Sequence, residues 1–189
     1  MEIQVLTPLS SLTFKLYIMK KITFFLILFL SLQGFSQKTF EVYNFSGQTI
    51  NLGDIITRAI SGTSFVLPEY HSKPFGNITI APGGSYVLEN TSYPLRFPFN
   101  SPASVPYISI WERNNTNGTT SMLASNSAWA LGNSQVFFNL KFFDGANILR
   151  EVGETNPTPA PFSTGITAEY SYYQDPVNTN IKIYTVVIY

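Results

Sequence analysis

The 189-residue chain contains no cysteine and a single histidine. The first absence excludes a disulfide framework, a thiolate metal site, a cysteine nucleophile and a cysteine-linked lipid anchor. The second excludes any centre built on two imidazoles, such as the zinc helix with paired histidines. Charge is scarce: 12% of residues are charged, and 11 basic residues balance 11 acidic ones. No basic stripe is available to hold a phosphate backbone, so no nucleic-acid partner is expected. Aromatic residues, in contrast, are plentiful, with 16 Phe, 11 Tyr and 2 Trp. That content argues against a disordered chain and for a packed domain with aromatic-rich strands.

The clearest functional signal lies between Met19 and Gln37. Met19-Lys20-Lys21 is a short basic segment, and Ile22 to Leu32 is an 11-residue run without charge. Gln33-Gly34-Phe35-Ser36-Gln37 follows, polar and rich in small residues. This is the order of regions in a secretory signal peptide. The apolar run falls short of the about 20 residues that a spanning helix needs. The segment resembles signal peptides of Bacteroidetes-type bacteria, which open on Met-Lys-Lys and end in Ser-Gln or Ala-Gln at the cut. That resemblance implies cleavage between Ser36 and Gln37 and a protein secreted or held in the periplasm or on the outer surface of a Gram-negative bacterium. Because residues 1–18 precede a complete signal, translation is expected to start at Met19. Residues 1–36, upstream extension plus signal, therefore stand apart from a single domain over 37–189.

Within 37–189 there are 8 basic and 10 acidic residues. A chain of about 150 residues buries close to 70% of its unfolded surface, enough for one core without covalent staples. Apolar residues alternate in short bursts separated by Gly, Pro, Asn and Ser, as in TFEVYNF (39–45), NITIA (77–81), SYVLE (85–89), YISIWER (107–113), QVFFNLKFF (135–143) and IKIYTVVIY (181–189). Such a pattern predicts an all-β fold, a single antiparallel β-sandwich of jelly-roll or immunoglobulin-like type with eight or nine strands; a small closed β-barrel is the alternative. Thr49 to Leu52 is a candidate hairpin partner for the first strand, Pro82-Gly83-Gly84 a tight turn, and Ile55 to Ile60 the one place for a short helix. In 135–143 the alternation places Val136, Phe138, Leu140 and Phe142 on one face. Pro94, Pro98, Pro102 and Pro106 mark a crossover whose aromatics, Tyr93, Phe97 and Phe99, cap the core or line a binding loop.

Chemistry is sparse. Glu69 and His71 sit two apart, on one face if the segment is a strand, but no third partner is evident, and Pro68 and Pro74 favour a solvated loop. The nucleophile elbow, phosphate loop, dinucleotide fingerprint and calcium loop are all missing. Glu112, Glu151, Glu154, Glu169 and Asp175 remain as free-spaced carboxylates of the kind glycoside hydrolysis uses. Asn44, Asn77, Asn90, Asn114 and Asn117 begin sequons that read as a by-product of Asn/Thr-rich turns. No catalytic residue, metal ligand or cofactor is expected. Trp129, Tyr170, Tyr172 and Tyr173 are the candidate ligand-binding residues, because flat amphipathic rings cover the apolar faces of sugars. Trp111, flanked by Ile110 and Glu112, is expected in the core.

These observations point to an exported, non-enzymatic binding or adhesion module for a glycan, a cell surface or a protein. One alternative is a small outer-membrane barrel, since the last strand, ending on Tyr189, resembles the terminal strand of such barrels. The Pro-rich stretch and the irregular 53–76 region leave that barrel short of long strands, so the domain is not expected to span a membrane. The other alternative is a secreted carboxylate-dependent hydrolase.

Overall fold

A computed structural model describes residues 37–89, 96–99 and 108–189. The export segment and Tyr93 lie outside the described residues. The rest forms two facing β-sheets that do not close into a barrel. The sandwich expectation therefore holds and the barrel alternative does not.

The smaller sheet runs β10 (Ala168–Gln174), β11 (Lys182–Ile188), β1 (Lys38–Asn44), β5 (Ser85–Glu89). The larger runs β7 (Thr120–Ala124), β6 (Ile110–Asn114), β3 (Ser64–Lys73), β2 (Ile50–Ser61), β8 (Gln135–Phe143), β9 (Leu149–Gly153), with β4 (Ile78–Ile80) also paired to β2. Among the described residues all strand pairings are antiparallel except β1 with β11, which run parallel in register from Lys38 opposite Lys182 to Asn44 opposite Ile188. Beyond the strands, the described residues hold a helical turn, α1 (Ser125–Ala128), and a 3-10 segment, Trp129–Ser134.

The core is layered across the smaller sheet. Leu88, Phe40, Tyr184 and Tyr172 form one row, and Tyr86, Val42, Val186 and Tyr170 the next. Phe137 of the facing sheet stacks on Phe40 at 4.4 Å between ring centroids. Trp111 is fully buried as expected, its indole N–H donating to Ser125 Oγ at 3.0 Å. Phe97 and Phe99 are buried too, against Tyr184 and against Tyr70 and Trp111, so they cap the core and are not displayed for binding.

Where expectation and structure differ, bulges and corners account for it. Ile55 to Ile60 is the middle of β2, a strand and not a helix. The register against β8 shifts between Leu52 and Asp54 and again between Ile56 and Thr57, which breaks period two and blurs the strand signal. The second shift leaves Phe138 without a register partner and turns Phe137 inward with Leu140 and Phe142, so the expected face is split. The 53–76 region is not irregular but builds two long strands. Leu67 and Pro68 lie at the register shift of β3 against β2, where a missing N–H interrupts no ladder bond. Thr49 to Leu52 does not return beside β1, because the chain crosses to the other sheet after Asn44. Pro82-Gly83-Gly84 likewise makes a corner between sheets, with Gly83 at φ +73°. The described residues alone hold eleven strands, where eight or nine are expected.

Candidate functional site

Two polar assemblies stand out, one on the outer face of the larger sheet and one at an open end of the sandwich. The first is centred on His71. Strand register sets Glu69 and His71 of β3 opposite Arg58 and Ile56 of β2, and opposite Asn114 and Glu112 of β6. Asp54, two residues before Ile56, reaches His71 Nδ1 at 2.6 Å, and Glu69 Oε1 lies 2.7 Å from Nε2. Glu69 is also held by Arg58 Nε, whose guanidinium lies 4.0 Å from the Phe138 ring centroid. The imidazole is therefore not a solvated loop histidine: it is largely buried, and the third partner that the sequence does not reveal is Asp54 from the neighbouring strand. Burial opposes the charged ring, but the hydrogen bonds and charges of Asp54 and Glu69 outweigh it and raise the pKa to about 9. The hydrogen bond from His71 and the pairing with Arg58 lower Glu69 to about 2, against its burial.

This geometry limits what His71 can do. Both ring nitrogens are committed, so a protonated ring has no lone pair with which to take a proton. The two carboxylates sit on opposite nitrogens and do not converge on a common point. Among the described residues no cluster is arranged to hold a metal. The assembly is an ion cluster that joins β2, β3 and β6.

The free-spaced carboxylates are also engaged. Glu112 lies 3.6 Å from Lys73 Nζ, Glu151 accepts from Asn139, Glu154 accepts from the Tyr170 hydroxyl at 2.6 Å, and Asp175 accepts from the amides of Val177 and Asn178. Glu169 is exposed on β10. Three sequon asparagines have structural work: Asn44 Nδ2 is buried and donates to the carbonyls of Gln48, Ile80 and Ala81, Asn114 Nδ2 meets His71 and Glu69, and Asn117 Oδ1 accepts from the amide and hydroxyl of Thr119.

The second assembly follows from the layering of the smaller sheet. One row beyond Tyr172, Tyr184 and Phe40 come Gln174, Lys182 and Lys38, adjacent across three strands. Polar side chains thus replace the aromatic layer where the sheets end. With Ile60, Val136, Asn133, Ser134, Thr179 and Asn180 they line a cavity of about 260 Å³. Lys38 is 6% exposed, and its ammonium donates to the carbonyl oxygens of Asn133 at 2.8 Å and Gln135 at 2.7 Å. Burial and then the charge of Lys182 lower its pKa to about 8. Asn133 also borders a more open depression lined by Arg96, Asn126, Ser127, Trp129 and Ala130.

The four sequence-derived candidates separate in space. Tyr172 is 45% exposed, stacks on Tyr184 at 5.4 Å, and donates its hydroxyl to Gln174 at the cavity rim. Trp129 is half-buried in the 3-10 segment, with the Arg96 guanidinium 4.0 Å from its ring centroid. Both border the same end of the sandwich. Tyr170 is buried, its hydroxyl pKa raised by burial and by its bond to Glu154, and belongs to the core. Tyr173 is exposed on the opposite face of the sheet from Tyr172. The lysine pair escapes sequence reading because its residues lie at the far ends of the chain and meet only through the parallel β1–β11 pairing. No family model matches the chain, and no curated protein matches it.

Proposed function

We propose that the domain is an exported binding module that recognises a glycan at this end of the sandwich. The observation that carries the reading is the cavity rim: amide and hydroxyl side chains (Gln174, Asn133, Ser134, Thr179, Asn180) beside the half-exposed ring of Tyr172, with Trp129 on the adjoining depression. Sugars present hydroxyls around an apolar ring face, and a pocket that combines uncharged polar groups with an aromatic plane meets both. A volume of about 260 Å³ is of the order of one sugar residue. Binding without bond breaking fits the commitments of His71, Glu69 and Asp144, each tied to an opposite charge. The order of regions from Met19 to Gln37, that of a secretory signal peptide, supports an exported domain, which would meet the glycans of envelopes and extracellular matrices.

The test is a glycan array followed by titration calorimetry. Tyr172→Ala and Trp129→Ala are each expected to weaken the selected ligand by about 1–2 kcal/mol, the usual worth of a stacked aromatic contact. Absence of binding to every glycan on the array would remove the reading.

A further inference from the structure

The end cavity carries more positive charge than a neutral sugar requires, and the inference drawn from that rests on the glycan reading above. Four of the eight lysines and arginines of the described residues meet or face a carboxylate, Arg58 with Glu69, Lys73 with Glu112, Arg150 with Asp144, and Lys141 in register opposite Glu151, while Arg96 and Arg113 lie over the rings of Trp129 and Tyr70. Lys38 and Lys182 differ. They lie side by side across β1 and β11, and among the described residues no carboxylate pairs with either or lines the cavity. Two of Lys38's three N–H donors are taken by backbone carbonyls, which leaves a third. Keeping an ammonium out of water beside a second cation is costly unless an anion joins it.

We propose that the cavity receives an acidic sugar, its anionic group seated between Lys38 and Lys182 and its hydroxyls met by Gln174, Asn133, Ser134 and Thr179. The arrangement joins a charge that selects the ligand to neutral groups that orient it. The smaller sheet supplies Lys38, Lys182 and Gln174, and the 3-10 segment and the start of β8 face them with neutral side chains. Lys182 is thus the one other charged group turned toward Lys38 among the lining residues. Because burial and then the charge of Lys182 lower the Lys38 pKa to about 8, affinity for an acidic sugar falls as pH rises past that point.

Calorimetry on the full chain tests this with three probes: an oligogalacturonide, a neutral galactan oligomer of the same length, and inorganic sulfate. The oligogalacturonide is expected to bind about tenfold or more tighter than the neutral oligomer, the scale of one charge-assisted hydrogen bond. Lys182→Met, at a half-buried position, abolishes that preference, whereas Lys141→Met on the outer face of the larger sheet leaves it intact. Lys38→Met is a second variant, its fold checked by circular dichroism, and loses the preference as well. Equal binding of the acidic and neutral oligomers would overturn the inference and leave the glycan reading standing. Binding of neither oligomer would remove both. Sulfate binding as tightly as the oligogalacturonide would show an anion site with no sugar specificity, and an acid preference that survives Lys182→Met would place the charge recognition elsewhere.

Discussion

His71 is charged at neutral pH because two carboxylates, Asp54 and the Arg58-braced Glu69, hold its ring nitrogens, and this links the stability of the larger sheet to pH. Its pKa is raised from 6.5 to about 9, so its contribution is complete below pH 6.5 and is lost as pH rises through 9. Glu69, lowered from 4.5 to about 2, contributes fully above pH 4.5 and loses that contribution as pH falls through 2. The cluster is therefore strongest between pH 4.5 and 6.5. His71→Gln should cost about 2 kcal/mol near pH 6, a value reduced for partial solvent contact, and should flatten the decline of Tm between pH 6.5 and 9. Thermal melts of both proteins across that range check it; parallel curves would mean that the ring contributes nothing through its charge. The sequence offered half of this cluster, since Glu69 and His71 stand two apart. Asp54 was illegible because it belongs to another strand, and its register depends on a bulge that no local pattern announces.

At the scale of elements, the 3-10 segment Trp129–Ser134 determines the geometry of the candidate site. Gly132 sits at its centre, where an added Cβ would lie 2.5 Å from the carbonyl carbon of Arg96 and 2.6 Å from its Cα. Backbone cannot give way as a flexible side chain can. Gly132→Ala should therefore destabilise the domain by about 1–3 kcal/mol and shift Trp129 and Asn133 together. Denaturant unfolding and glycan titration on the same variant would show both effects; unchanged binding in a destabilised protein would separate the segment from the site. Strands are legible wherever alternation is clean, as in β1, β5 and β11. The pattern misleads where a bulge intervenes: β2 resembles a helix at Ile55 to Ile60, and in β8 Phe138 leaves the face that alternation gives it with Leu140 and Phe142. Corners were misread as hairpins, because Pro82-Gly83-Gly84 specifies a change of direction but not the sheet in which the next strand pairs.

At the scale of the molecule, the all-β sandwich was accessible from the spacing of short apolar bursts and turn residues. The assignment of strands to sheets was not, since partners such as β1 and β11 are distant in sequence. Those two strands form the centre of the smaller sheet, and Val42, Val186 and Ile188 are fully buried there. Removing residues 182–189 would leave β1 and β10 without their shared neighbour and open the aromatic layers to water. The expected outcome is loss of cooperative unfolding and of the near-ultraviolet circular dichroism of the packed rings; a truncated chain that still melts in one sharp transition would contradict the layered core.

The parallel pairing of the first and last strands also sets an order of events. β1 emerges early yet cannot complete its sheet until β11 has followed, after nearly the whole described chain. Contacts between such distant segments form slowly, because a long loop must be closed before they yield any stabilisation. For a chain that crosses a membrane as an extended thread, as the export reading requires, delay is an advantage. Under that reading, the fold would withhold its final closure until both strands had reached the same side.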